Sequence, residues 1–166
     1  MIKLKKNIPL IDQHDKHGFW GGKFGGSFIP ETLRKPIDDL TVKFEKLRKD
    51  KKFLAERNYY YNNWVHKGPT PFIKLENLTN HLGGAQIYAK VVSAARGGAH
   101  KIYGAITAAM LCKKMNKRYL VTDTGAGYNG KMFSIAAKHF GLKCKVFMGS
   151  RDVQRQKPNV DAMKKN

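Results

Sequence analysis

Acidic residues are scarce in this chain: 12 Asp and Glu stand against 32 Lys and Arg over 166 residues, giving a formal net charge of +20 at pH 7. Between Glu76 and Asp123 there is no acid at all. A surplus of that size suits anionic partners, and clustered cations would suit nucleic acid or an anionic membrane surface. Clustering is missing as well. The basic residues run from Lys3 to Lys165 without a dense block and without the basic-aromatic repeat of a stacking platform, so no nucleic-acid partner is expected. The acid-free stretch instead puts any site within it in a positive field suited to phosphate or carboxylate.

Cysteine is nearly absent. Cys112 and Cys144 are far apart in sequence, form no Cys-x-x-Cys and have no histidine at ligand spacing, so buried reduced thiols in a cytoplasmic protein are expected. His14, His17, His66, His81 and His139 show no metal-binding spacing either, and read as surface or packing residues. No apolar run is long enough to span a bilayer or to act as a signal peptide, the basic Met1 to Asp15 stretch included, so no membrane partner is expected.

What is there has the pattern of an α/β protein with an incomplete parallel sheet. Residues 1–35 read as an amino-terminal arm rich in turns and aromatics, and residues 36–166 as a partial α/β domain. From Pro36 a helix is expected, with Ile37, Leu40, Phe44 and Leu47 on one face and Asp38 and Asp39 in its first turn. Phe53 to Trp64 continues as a second helical piece, in which Tyr59, Tyr60 and Tyr61 read as packing. Gly68-Pro69-Thr70-Pro71 then forces extended backbone. Beyond it, short apolar runs alternate with helical segments: strands at Ile87 to Val92, Arg118 to Thr122 and Lys143 to Met148, and helices at Ala99 to Met115 and Lys131 to Phe140, the latter closed by Gly141. The Ala99 to Met115 helix should turn Ile102, Ala105, Ile106, Ala109 and Met110 inward. Strand, helix, strand, helix, strand with short links predicts three parallel strands, with ligands beyond their carboxyl ends. A last helix should start near Val153 and run to Asn166, and three parallel strands with open edges predict an incomplete unit.

Two segments carry the chemistry. Gly97-Gly98-Ala99-His100-Lys101 puts a lysine amine at a helix start, where unpaired backbone N–H groups attract anions. Asp123-Thr124-Gly125-Ala126-Gly127-Tyr128-Asn129-Gly130 puts three glycines at another helix start, directly after a carboxylate. Together they suggest a site for a phosphorylated aldehyde and an anionic substrate. The glycine loop is neither a dinucleotide fingerprint, because no acid closes the next strand, nor a Walker loop, because no Gly-Lys-Ser or Gly-Lys-Thr ends it. Asp123 could serve as a general acid or base, or as a cap of the following turn.

Further motifs stand in register with these: Phe24-Gly25-Gly26 with Ile29-Pro30-Glu31, Gly68-Pro69-Thr70-Pro71, and Phe147-Met148-Gly149 with Asp152-Val153, Arg155-Gln156 and Pro158-Asn159-Val160. In order and spacing, over nearly its whole length, the chain resembles the amino-terminal part of tryptophan synthase beta chains. That family has the type II fold of pyridoxal-phosphate enzymes and joins indole to a serine-derived fragment to give L-tryptophan. The resemblance implies pyridoxal phosphate as cofactor, L-serine and indole as substrates, and an alpha chain and a second beta chain as partners. It implies that Lys101 holds the cofactor and moves the alpha proton of serine, and that His100 sits against the cofactor phosphate. It gives Thr124, Gly125, Ala126 and Gly127, with Tyr128 and Asn129 beside them, to the substrate carboxylate. Asp123 matches the acid that assists loss of the serine hydroxyl.

The chain departs from the pattern at stated places. The family has glutamate at Asp123, Asn at Tyr103, Gln-His at Tyr128-Asn129 and Lys-Arg-Glu-Asp-Leu at Lys90-Val91-Val92-Ser93-Ala94. Family chains also continue for more than this length again, carrying the phosphate cradle and the partner of the pyridine nitrogen. Two other readings therefore stand beside the first: a non-catalytic truncated remnant or interaction subunit, and another type II pyridoxal-phosphate lyase such as a serine or threonine dehydratase.

Overall fold

The computed structural model describes residues 7–15 and 18–166. His17 and the first six residues of the expected arm lie outside the described residues. The chain divides into two units, Met1–Val42 and Lys43–Asn166.

In the first unit a 3-10 turn at Leu10–Asp12 precedes β1 (Phe19–Trp20) and β2 (Phe24–Gly25), an antiparallel pair with Phe19 opposite Gly25. The Trp20 indole N–H donates to the Leu10 carbonyl at 2.7 Å and ties the turn to the hairpin. Helix α1 (Glu31–Leu47) begins five residues before the expected start and takes Pro36 inside it. Proline is favoured at a helix start because it lacks an N–H, and here the helix absorbs it by forgoing one hydrogen bond. Glu31 is therefore the first-turn acid. Asp38 and Asp39 fall in mid-helix, where Asp39 pairs with Lys35 at 3.5 Å.

The second unit begins with the last residues of α1, from Lys43, and continues with α2 (Lys51–Tyr60), capped by the Asp50 carboxylate, which accepts from the N–H groups of Lys52 and Phe53 at 2.8 and 3.0 Å. The Phe53 hydrogen bond above all holds that carboxyl below the usual carboxylate range. A π-helical turn, Tyr61–Val65, extends the helix before the Gly-Pro-Thr-Pro segment ends it. Tyr60 and Tyr61 do pack: Tyr60 meets the edge of Phe140 at 5.0 Å, and the Tyr61 hydroxyl lies 2.6 Å from Thr107 Oγ1. Tyr59 stays 63% exposed.

The next elements are β3 (Phe72–Lys74), α3 (Glu76–Leu82) and β4 (Tyr88–Lys90). β4 overturns one expectation. Instead of a buried member of the parallel sheet, it pairs antiparallel with β3, Ile73 opposite Ala89, and none of its residues is buried. Short apolar runs do not name their partners, and local bonds decide this one. The Lys90 amine donates to the Thr70 carbonyl at 2.6 Å, and the Ile87 N–H donates to Thr79 Oγ1 at 3.0 Å, so the segment is fastened to the extended chain before β3 and to α3.

Helix α4 (Lys101–Lys114), strand β5 (Tyr119–Thr124), helix α5 (Tyr128–His139) and strand β6 (Lys143–Met148) follow as expected, with β5 and β6 parallel and Thr124 opposite Met148. The parallel sheet among the described residues thus has two strands. Its faces differ. Leu120 and Thr124 are buried, whereas Val121 and Phe147 are 56% and 63% exposed, so Asp123 ends a strand buried on one side only. The last helix is two: α6 (Ser150–Arg155) and α7 (Lys157–Lys164), broken at Gln156 because Pro158 cannot donate the N–H that a continuous helix needs.

The core lies where α4 meets α5. Ile102, Ile106 and Met110 of α4 and Met132 of α5 are fully buried, and burying each such side chain contributes about 1.5–3 kcal/mol. The five α4 residues expected to face inward are all buried. Cys112 and Cys144 are free thiols, and burial raises both above the ordinary thiol range. No helix among the described residues is long and apolar enough to cross a membrane.

At the end of α5, His139 lies 4.4 Å from the Trp64 ring, with Tyr60 and Phe140 at 5.4 and 5.0 Å. Arg96 also lies over Trp64, 4.4 Å from its centre, and donates from Nε to the Trp64 carbonyl at 2.8 Å. Desolvation first, and the Arg96 charge second, hold the His139 imidazole below its usual range. The fold therefore favours the neutral ring. Its contribution is complete above the ordinary imidazole pKa and is lost as pH falls from there through the lowered folded value. His139→Gln is expected to lose less stability than the unaltered chain between about pH 7.5 and about pH 5, measured by urea unfolding. Parallel losses in the two proteins would show that other groups carry the acid sensitivity.

Candidate functional site

The glycine loop is placed by β5 and α5. β5 delivers Asp123 and Thr124 to the carboxyl end of the two-stranded sheet, and α5 begins shortly after, at Tyr128. The first N–H groups of a helix have no partner within it, so those of Tyr128 and Asn129 are open to an anion. The Lys131 N–H is not: it bonds the Gly127 carbonyl at 2.9 Å and closes the first turn.

The lysine loop arrives differently from the expected route. It follows no parallel strand, but leaves β4 through two 3-10 turns, Val92–Ala94 and Arg96–Gly98, before α4 starts at Lys101. Helix α5 brings it to the site. Gly97 has φ +81°, and a Cβ there would lie 2.5 Å from Met132 Sδ, so only glycine permits both the backbone turn and the close approach. A Cβ on Gly98 would lie 3.8 Å from the Tyr128 hydroxyl. One helix thus holds both loops, Met132 against the lysine loop and Tyr128 at the end of the glycine loop, beside Gly98.

Lys101, Asp123, Thr124, Gly125, Ala126, Tyr128 and Asn129 line a single open cleft of about 280 Å³. Thr124 is buried, while Lys101, Asp123 and Tyr128 are exposed to the cleft's solvent. Among the described residues, neither the Lys101 amine nor the Asp123 carboxylate has an ion-pair partner. One amine, one carboxylate and a run of backbone donors therefore converge with their bonding capacity free. Asn129 is committed elsewhere. Its amide donates to Thr122 Oγ1 at 2.7 Å and to the Asp123 carbonyl at 3.0 Å, fastening the strand end to the first turn of α5.

Two expected site residues do not line the cleft. His100 is exposed at the N-cap of α4, next to Lys101. Gly127 is buried behind the cleft with φ +84°. Tyr103, a departure from the family pattern, also lies outside it, half-buried with its ring 5.0 Å from that of Tyr61. Tyr128 is the one bulky departure in the cleft, and Lys131 places its amine 5.7 Å from that ring. Among the described residues no group of three or more His, Cys, Asp or Glu could hold a metal ion.

The chain is 40% identical over 149 residues to the tryptophan synthase beta chain of Fusobacterium nucleatum subsp. nucleatum. That similarity covers 90% of this chain and 37% of the relative, so the chain spans little more than a third of the curated relative's length. Residues 64–165 match the family described as pyridoxal-phosphate dependent enzyme. Since that match takes in both loops, the helix that joins them and the whole cleft, the chain belongs to the family of pyridoxal-phosphate-dependent enzymes.

Proposed function

We propose that this chain is the lysine-bearing part of a tryptophan synthase beta-type enzyme, which joins L-serine and indole to give L-tryptophan. The observation that carries this reading is the convergence of Lys101, Asp123 and the Thr124 to Ala126 loop on one cleft. The donor set suits the cofactor's reactive end: an unpaired amine for an aldehyde, beside backbone donors for a carboxylate. Bound there, pyridoxal phosphate supplies an electron sink for carbanion chemistry at the substrate's alpha carbon.

The residues of this chain then divide the remaining work. Lys101 holds the cofactor through Nζ and takes and returns the alpha proton. Thr124, Gly125, Ala126 and Gly127 hold the substrate carboxylate, with Tyr128 closing the cleft and Asn129 fixing its wall. Asp123 gives a proton to the departing serine hydroxyl and steadies indole. His100, exposed at the α4 start, attends the cofactor phosphate. In this reading residues 1–35 are an arm and 36–166 the partial α/β domain of a cytoplasmic protein, with an alpha chain and a second beta chain as partners. The shorter carboxylate at Asp123 makes it a slow catalyst.

Product analysis tests the proposal. Protein supplied with pyridoxal phosphate, L-serine and indole should form L-tryptophan. Keto acid released from L-serine without tryptophan would favour the dehydratase reading, and no product from folded protein would favour the remnant or interaction subunit.

A further inference from the structure

We infer that α7 positions the glycine loop, and that Asn159 is the positioning residue that sets the loop's donors toward a carboxylate; the carboxylate's identity rests on the function proposed above. Asn159 and Met163 stand one turn apart on α7, and both press on the segment between β5 and α5. The Asn159 side-chain amide donates to the Ala126 carbonyl at 2.9 Å. A Cβ on Gly127 would lie 2.6 Å from Asn159 Cβ, and one on Gly130 would lie 2.5 Å from Met163 Sδ and 2.7 Å from Val146 Cγ1. Two of the three loop glycines are therefore required by the close approach of α7 and β6, not by the cleft alone.

The consequence follows from the rigidity of the peptide unit. The carbonyl of Ala126 and the N–H of Gly127 belong to one plane and point in opposite directions. Holding the carbonyl on the α7 side holds the N–H on the opposite side. Without that bond, the glycine at 127 leaves the loop free to rotate this unit, about ψ of Ala126 and φ of Gly127, and turn an acceptor where a donor is needed. Gln156, one turn before Asn159, places Oε1 3.5 Å from the same amide nitrogen and orients it. Asn159 itself does not line the cleft, so it acts through the loop.

Two variants and two readouts test this. Asn159→Ala keeps the Cβ against Gly127 and removes only the donor; Asn159→Asp sets an acceptor against the Ala126 carbonyl. In the full chain without cofactor, exchange of the Lys131 amide hydrogen, which bonds the loop's Gly127 carbonyl, should quicken about tenfold in each variant, with the buried amides of α4 unchanged. In protein mixed with pyridoxal phosphate, half-saturation by L-serine should move about tenfold higher, with half-saturation by pyridoxal phosphate unchanged. A residue that only supported the fold would shift α4 exchange and both ligands together. Unchanged exchange at Lys131, or equal weakening of both ligands, overturns the inference. Should Asn159→Asp fail to fold, Asn159→Ala decides alone. If the unaltered chain shows no response to pyridoxal phosphate, the proposed function fails, and the exchange result still judges the role of Asn159.

Discussion

Lys101→Ala protein mixed with pyridoxal phosphate should show only the absorbance of free cofactor, whereas the unaltered chain should gain a visible band that shifts when L-serine is added. The expected loss is complete. Covalent attachment needs an amine, and Lys101 is the amine that lines the cleft with Asp123 and the glycine loop. Lys131, the other cation close by, lies on α5 with its amine 5.7 Å from the Tyr128 ring. The variant is also a fair test of chemistry, because Lys101 is exposed in the first turn of α4 and alanine is the best helix former. Its unfolding midpoint should match that of the unaltered chain. A visible, serine-responsive band that survives in Lys101→Ala would place the attachment at another lysine and remove the central residue of the proposed function.

Asp123→Glu should raise the rate of tryptophan formation by about a hundredfold, the scale on which a displacement near an ångström acts at a reacting centre. The family pattern has glutamate here, and aspartate stops one methylene short. The position accepts the longer side chain. Asp123 is exposed at the end of β5, and its backbone is fixed by pairing opposite Phe147 and by the Asn129 amide on its carbonyl. The added methylene therefore extends the carboxylate into the cleft without a core to disturb. The gain should appear in kcat, with KM for L-serine little changed, because the carboxylate is asked to act on the leaving hydroxyl and not on the bound carboxylate. Asp123→Ala gives the converse, a loss in kcat. Equal rates for the unaltered chain, Asp123→Glu and Asp123→Ala would show that this side chain does not act at the reacting atoms.

The helices and strands nearest the cleft were legible because their patterns are local. The apolar spacing of Ile102, Ala105, Ile106, Ala109 and Met110 marks one helical face, and all five are buried in α4. Lys143 to Met148 reads as a strand from its apolar and β-branched content, and β6 has those bounds. The misreadings came where a local signal had two outcomes. Ile87 to Val92 has the composition of a buried strand, but its ladder pairs with β3, while Lys90 bonds Thr70 before β3 and Ile87 bonds Thr79 of α3. Pro36 reads as a helix start and lies inside α1. The single helix expected from near Val153 to Asn166 is two, divided just before Pro158.

The cleft shows the same division. Gly-Gly-Ala-His-Lys and Asp-Thr-Gly-Ala-Gly are visible as chemical groups because amines, carboxylates and glycines declare their capacities by type. Their convergence was expected from a parallel sheet that would bring both loops to one end, but the lysine loop follows no parallel strand and reaches the site through two 3-10 turns. The sequence by itself determined which groups could act, which segments are helical and that the setting is cationic, because those properties belong to residues and to their near neighbours. Only the tertiary structure decided that α5 holds both loops through Met132 and Tyr128, that Asn129 serves the wall of the cleft, and that Asn159 fastens the loop from behind. Those contacts depend on close packing between elements distant in sequence, where a missing Cβ or a single amide decides the fit, and no periodicity along the chain encodes them.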